Sequence, residues 1–174
     1  MRKILIVVDM QNDFITGTLG SVEAQAIVPN VVEKIKYWPT TNGKVYFTRD
    51  THSFNYLNTL EGKKLPIQHC IKNSAGWCII NDLLRYAENA KVIDKTTFGY
   101  NGWVVEFGAS EEIEFELCGV CTDICIVSNA LALRMFYPNA KITVDASCCA
   151  GVTPEKHKAA LEVMKSCQID VINE

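Results

Sequence analysis

Residues 113–135 read IEFELCGVCTDICIVSNALALRM. Ile113 to Leu117 is a strand-like run that leads into a turn at Gly119. Thr122 and Asp123 then offer N-cap side chains ahead of a helical periodicity over Ile126 to Met135. A strand feeding a helix through a glycine turn is half of a parallel-sheet crossover. It also places Cys125 in the first turn of a helix at a strand end. Unpaired backbone N–H groups and the positive end of the helix dipole favour a thiolate there, and such settings lower a cysteine pKa from about 8.5 to about 3.5–7.5. A buried small apolar residue is the competing reading of any single cysteine.

The same alternation extends in both directions. Lys3–Asp9, Lys44–Arg49, Lys91–Asp94, Ile113–Gly119, Lys141–Ala146 and Ile169–Ile172 are short runs rich in Val, Ile and Phe. Several are apolar without a two-residue period, the pattern of strands covered on both faces. Helical patterns fall between them over Glu23–Tyr37, Ile79–Glu88, Gly102–Phe107, Ile124–Met135 and Pro154–Ser166, the last with Thr153 as N-cap and Pro154 at N1. Six strands interleaved with helices predict an α/β fold: one domain over residues 1–174, a Rossmann-like three-layer sandwich with a mostly parallel six-stranded sheet and helices on both faces. Thr51 to Trp77 is long, polar and aperiodic, and loops of that length inside a compact domain are usually functional.

Composition narrows the function classes. A chain of 174 residues can bury roughly 70% of its unfolded surface in a single core. A formal charge of -3, with basic residues scattered, gives no face for nucleic acid. The apolar run Ile4 to Val8 ends at Asp9, too short for a signal core or a membrane span, so it reads as the first buried strand and a cytoplasmic protein is expected. Eight cysteines admit a disulfide framework, but their density is below that of stapled secreted domains, so reduced thiols are expected. The spacing Cys118-x2-Cys121-x3-Cys125 also invites a metal or cluster reading, although no fourth ligand lies nearby in sequence.

In open α/β sheets, ligands bind at the carboxyl ends of the strands. Asp9, Asp50, Lys95 and Cys125 lie at or just beyond the carboxyl ends of separate predicted strands. A carboxylate after five apolar residues should be partly desolvated, which raises its pKa and suits Asp9 to proton transfer; an aspartate capping a turn is the alternative. Lys95 reads either as a surface partner of Asp94 or as a fixed cation steadying a thiolate. Asp50 and His52, with His69 after Pro66 in the following loop, can form a divalent-metal site with nitrogen and oxygen donors. His157 lies in Glu155-Lys156-His157-Lys158, the pattern of a solvated helix face. Cys148 and Cys149 are expected just after a strand, near the site but without an assigned chemistry. No glycine-rich phosphate loop, serine nucleophile elbow or dinucleotide fingerprint is present.

Five segments in order carry a resemblance: Val8-Asp9-Met10-Gln11-Asn12-Asp13-Phe14, Thr48-Arg49-Asp50-Thr51-His52, Leu65-Pro66-Ile67-Gln68-His69-Cys70, Asp94-Lys95-Thr96-Thr97-Phe98-Gly99 and Gly119-Val120-Cys121-Thr122-Asp123-Ile124-Cys125. In these the chain resembles the isochorismatase-like cysteine hydrolases, in particular their nicotinamidase/pyrazinamidase branch. The resemblance implies Cys125 as nucleophile, Asp9 as acid/base and Lys95 as supporting cation. It further implies a cis peptide ahead of Cys121 and an oxyanion hole from the backbone N–H groups of Cys121 and Cys125. It implies a divalent metal, zinc by preference with iron or manganese as alternatives, on Asp50, His52 and His69, with Glu61 as a further ligand. Phe14 and Tyr100 are the candidate aromatic walls of a substrate pocket. The implied reaction is hydrolysis of nicotinamide to nicotinate and ammonia through a thioester. The alternatives are another small amide, carbamoyl or ureido, on the same triad, and a catalytically silent binding domain. A small-molecule substrate, no nucleic-acid or membrane partner, and a homo-oligomer are expected.

Overall fold

The computed structural model describes residues 1–39, 41–108 and 112–174. Six strands form one sheet: β1 (Arg2–Val8), β2 (Gly43–Asp50), β3 (Lys91–Lys95), β4 (Ile113–Val120), β5 (Lys141–Ala150) and β6 (Asp170–Ile172). Their order is β3-β2-β1-β4-β5-β6, and every pairing is parallel, where the sequence predicts a mostly parallel sheet. The connections run outward one way from β1 and the other way from β4. The crevice between the ends of β1 and β4 is therefore the topological switch point, where such sheets bind ligands.

The helices are α1 (Asn12–Ile15), α2 (Val22–Ala26), α3 (Val28–Lys36), α4 (Leu60–Lys64), α5 (Asn81–Ala87), α6 (Trp103–Phe107), α7 (Val127–Phe136) and α8 (Pro154–Ser166). Adjacent residues of β4 show how they divide between the two faces. Phe115 packs its ring against Phe107 of α6 and Tyr137 after α7, whereas the Glu116 side chain meets Lys34 of α3. Successive strand side chains point to opposite faces, so α3 covers one face and α6 and α7 the other. α5 packs beside α3, and α8 beside α7. Ile4 to Val8 of β1 lie between the layers with no exposed surface, which accounts for their unbroken apolar run.

The structure departs from the sequence reading in places. The single helix expected over Glu23–Tyr37 is two, α2 and α3, because Pro29 has no N–H for the carbonyl four residues back. β5 runs on to Ala150 through an irregularity in register that pairs Leu117 with Val144 but Gly119 with Cys149. Cys148 and Cys149 thus lie inside the strand and are buried, rather than following it. The aperiodic loop is ordered by short elements that no periodicity could reveal. A 3₁₀ turn, Tyr56–Asn58, is followed by α4, which Thr59 caps by accepting from the Gly62 N–H. Tyr56 is fully buried beneath it and donates its hydroxyl to the Leu65 carbonyl at 2.9 Å.

Candidate active site

β1 ends where its neighbour β4 carries Gly119, in register with Val8. A Cβ on Gly119 would sit 2.1 Å from the Val8 carbonyl oxygen, and the residue has φ +119°, so glycine is required for the two strands to meet. Asp9, just past that point, has φ +51°, a left-handed conformation that aspartate tolerates better than most residues. Its fully buried carboxylate accepts the Thr48 hydroxyl of β2 at 2.6 Å on Oδ1 and lies 2.6 Å from Lys95 Nζ on Oδ2. Lys95, at the end of β3, is itself 2% exposed. Its ammonium lies 3.5 Å from Cys125 Sγ and 3.6 Å from Asp50 Oδ1. The three distant segments therefore bring Asp9, Lys95 and Cys125 into contact.

Cys125 lies in a π-helical turn, Thr122–Ile126, that leads into α7. The Ile126 N–H closes this turn onto the Cys121 carbonyl at 3.0 Å, and the Val120–Cys121 peptide is cis. Thr122 and Asp123 do not cap the helix. Cys121 stands at the N-cap position, Thr122 Oγ1 bonds to His157 Nδ1, and Asp123 accepts the Val152 N–H. Nor is the thiol acidified as a helix N-terminus predicts. Burial, then the Asp9 carboxylate, push Cys125 well above the ordinary cysteine value, with Lys95 opposing. Burial also raises Asp9 against the pull of Lys95. Lys95 in turn is raised: burial disfavours its charge, but the Asp9 carboxylate and the neighbouring Cys125 and Asp50 outweigh it.

On the far side of Lys95, four side chains converge. One ligand atom from each of Asp50, His52, Glu61 and His69 lies within 4.8 Å of all the others. Asp50 Oδ2 is 2.9 Å from His52 Nε2 and 3.5 Å from His69 Nε2, and Glu61 Oε1 is 3.7 Å from both nitrogens. Burial would raise Asp50, but its hydrogen bonds to His52 and His69 hold it well below the usual carboxylate range. Burial would lower His69, and the bond to Asp50 raises it instead. Since a carbonyl can only accept, His69 Nδ1 donates to the Ile67 carbonyl at 2.9 Å, which leaves Nε2 free to ligate in the neutral ring. Two imidazoles and two carboxylates at this spacing suit a divalent ion such as zinc.

A cavity of about 760 Å³ joins the two clusters and opens between the strand ends. Cys121, Cys125, Asp50, Glu61 and His69 line it, and its walls are mainly apolar. Phe14 forms one wall, its ring 5.6 Å from that of His69. Tyr100 is not a wall. Its ring packs edge-on against Trp103 and its N–H donates to Asn129, while Phe98, two residues earlier, lines the cavity.

Sequence reasoning missed several residues that hold this arrangement. Gln11, fully buried, donates to the Asp50 and Trp77 carbonyls at 2.9 Å each and accepts the Asp50 N–H at 2.7 Å. Asn129 donates to the Cys125 carbonyl at 2.8 Å and accepts from Tyr100 and Trp103, tying α7 to the segment after β3. Asp13 accepts the Cys70 N–H beside His69 at 2.7 Å. Asn129 alone stands among mainly apolar neighbours that could have marked it; Gln11 and Asp13 lie in the polar run Gln11-Asn12-Asp13, where nothing local shows burial. His157 departs from its solvated-face reading: it is half-buried against the turn that carries Cys125.

Known proteins share this frame. The crystal structure of a pyrazinamidase of Pyrococcus horikoshii in complex with zinc superposes with a TM-score of 0.82 at 28% identity, covering 100% of both chains. A nicotinamidase of Schizosaccharomyces pombe is 26% identical over 211 residues, 98% of this chain and 92% of that protein. An Arabidopsis thaliana protein described as a probable inactive nicotinamidase is 29% identical over 179 residues, 93% of this chain and 87% of that one. No helix among the described residues is long and apolar enough to cross a membrane. Residues 3–174 match the isochorismatase domain model, a span that takes in both clusters and all of the sheet but Arg2, and the chain belongs to that family of hydrolases.

Proposed function

We propose that this hydrolase cleaves the carboxamide of nicotinamide, giving nicotinate and ammonia, with Cys125 as nucleophile. The observation that carries this reading is the contact of Asp9, Lys95 and Cys125 beside the Asp50, His52, Glu61 and His69 donors, with Cys125, Asp50, Glu61 and His69 lining one cavity. At rest the thiol is protonated, because burial and Asp9 both disfavour its anion. Asp9, itself raised by burial, takes that proton as the sulfur attacks the carboxamide carbon. The backbone N–H groups of Cys121 and Cys125 stabilise the oxyanion, an effect worth about 2.7–4 kcal/mol per donor in other hydrolases. The tetrahedral adduct collapses to a thioester as Asp9 hands the proton to the departing ammonia. Asp9 then deprotonates a water that attacks the thioester, releasing the carboxylic acid and restoring the thiol. Lys95 stays charged throughout and offsets the negative charge that passes between sulfur and carboxylate.

Asp50, His52, His69 and Glu61 would hold a divalent ion, zinc being the metal of the Pyrococcus structure. When bound, the ion supplies a Lewis-acidic anchor for a ring nitrogen, fixing the carboxamide near the thiol. A second reading, another small amide on the same groups, is favoured by the placement of Asp9, Lys95 and Cys125, which act on the amide itself and not on the group that carries it. Ammonia release from nicotinamide, pyrazinamide and carbamoyl amides, with and without chelator, separates the two. Chelator-sensitive turnover of nicotinamide supports the first; metal-independent turnover of a carbamoyl amide alone supports the second. Cys125→Ala should abolish turnover with the fold intact, and release at the wild-type rate from that variant would refute both.

A further inference from the structure

Two hydrogen bonds reach consecutive residues of the turn that carries Cys125, one from His157 of α8 and one from Val152 in the segment that enters it. Thr122, with no exposed surface, shares a 2.8 Å hydrogen bond between Oγ1 and His157 Nδ1. Asp123 Oδ1 accepts the Val152 N–H at 2.9 Å from the segment entering α8. A threonine hydroxyl in a helical turn can bond back to a carbonyl of its own chain segment. Here the hydroxyl bonds instead to an imidazole 35 residues on. The contact is close: a Cβ on Gly151 would sit 2.9 Å from both Asp123 Oδ1 and His157 Cβ. His157 is in turn fixed from its own helix, its N–H donating to the Thr153 carbonyl at 2.9 Å. Burial lowers its pKa, with the Asp123 and Glu174 carboxylates opposing and Lys158 adding to the effect, so the ring is neutral at pH 7.

We propose that His157 is a positioning residue for the reaction: through the Thr122 hydroxyl it fixes the turn that presents the Cys125 sulfur and the Cys121 and Cys125 N–H groups. This rests on the nucleophilic role given to Cys125 above. Thr122 immediately follows Cys121, and the Ile126-to-Cys121 bond makes the turn a single unit, so a shift at Thr122 reaches the reacting atoms. The walls that hold the ring of a substrate, among them Phe14 and Phe98, lie on other segments. Misplacement of reacting groups by about 1 Å costs about 100-fold in rate. Removing the bond should therefore lower kcat about 10- to 100-fold and leave KM within about threefold.

The test compares His157→Leu, His157→Asn and Thr122→Val with wild type, each with its thermal unfolding curve. Asparagine offers an acceptor or donor near the Nδ1 position, so His157→Asn should recover kcat to within about threefold of wild type. The double variant His157→Leu/Thr122→Val should be no more than about threefold worse than the worse single one, because both remove the same bond. The proposal is overturned if kcat of His157→Leu stays within about threefold of wild type, or if His157→Asn is as impaired as His157→Leu. Should His157→Leu fail to fold, Thr122→Val against His157→Asn makes the same comparison. Alkylation of Cys125 by iodoacetamide, followed on its peptide by mass spectrometry, is the readout that needs no substrate. Its rate should change more than threefold in Thr122→Val and stay near wild type in His157→Asn. If wild type hydrolyses none of the amides, the nicotinamide reading fails, and the alkylation rates still decide the part played by His157.

Discussion

Gln11→Met tests the claim that one buried amide sets the position of Asp50, a carboxylate of the proposed metal site. Methionine matches glutamine in length and lack of branching but cannot make its bonds. Three groups then lose this partner at a fully buried position: the Asp50 N–H, the Asp50 carbonyl and the Trp77 carbonyl. Each orphaned buried group costs about 1–3 kcal/mol. Local relaxation and the favourable burial of the thioether, about 1.5–3 kcal/mol, offset part of that. A net loss of about 2–4 kcal/mol is expected, against a total stability of about 5–15 kcal/mol for a protein of this kind, so the variant still folds. Urea unfolding with chelator present measures it without contribution from bound metal. Zinc titration of the same samples should show affinity lower by about 10- to 100-fold, as for other partners that orient a ligand from behind. Gln11→Glu should cost more than Gln11→Met, because a carboxylate keeps the acceptor for the Asp50 N–H but faces two carbonyl oxygens with no proton to give. A loss below about 1 kcal/mol with unchanged zinc affinity would refute the assignment, as would a glutamate variant more stable than the methionine one.

Two further outcomes follow from the frame. Burial would raise Asp145, but hydrogen bonds from Lys34 and then Ser147 and Asn173 hold it below its ordinary value. A depressed folded pKa gives stability that is present above the unfolded value, about 3.9, and is lost as pH falls through the folded one. Unfolding free energies between about pH 2.5 and about pH 6 should therefore fall less steeply in Asp145→Asn than in wild type, and parallel curves would contradict this. Gly119→Ala places a methyl 2.1 Å from the Val8 carbonyl oxygen at a φ that alanine does not adopt. A cost on the order of 3 kcal/mol is expected, seen as a melting temperature about 6–12 °C lower, and an unchanged melting curve would show that the strands can separate there without penalty.

The elements legible in the sequence were those with one local cause. β1 shows as five apolar residues because nothing but core surrounds Ile4 to Val8, and α8 starts where Thr153 and Pro154 say it should. The convergence of Asp9, Asp50, Lys95 and Cys125 was legible because topology brings the carboxyl ends of parallel strands to one rim whatever the side chains do. What escaped has two or more distant causes. The break between α2 and α3 needs Pro29 to outweigh an amphipathic pattern that continues across it. Tyr100 and Phe98 lie two residues apart in the segment after β3, and which one faces the cavity depends on Asn129 of α7, which accepts the Tyr100 N–H.

The low thiol pKa expected of Cys125 is opposed in the fold for an instructive reason. A helix N-terminus lowers a thiol pKa when its N–H groups and water both face the sulfur, and the sequence showed the first condition but not the second. In the fold the sulfur is buried beside a carboxylate, so the dipole competes with desolvation and with like charge. Those two effects decide the direction, and they change what the neighbours must do. A preformed thiolate would need only a cation, and Lys95 alone would suffice. A protonated thiol needs a base within reach whose own pKa has been raised, and burial gives Asp9 that property while Lys95 keeps it from remaining permanently neutral. The same ammonium lies 3.6 Å from Asp50, so one cation offsets the charge of a carboxylate in each cluster. Two carboxylates buried this close to one another would otherwise each favour the neutral form, and Asp50 could not then serve as an anionic ligand. Lys95 is thus required by the burial of both clusters, a constraint visible only once the two strand ends are set side by side.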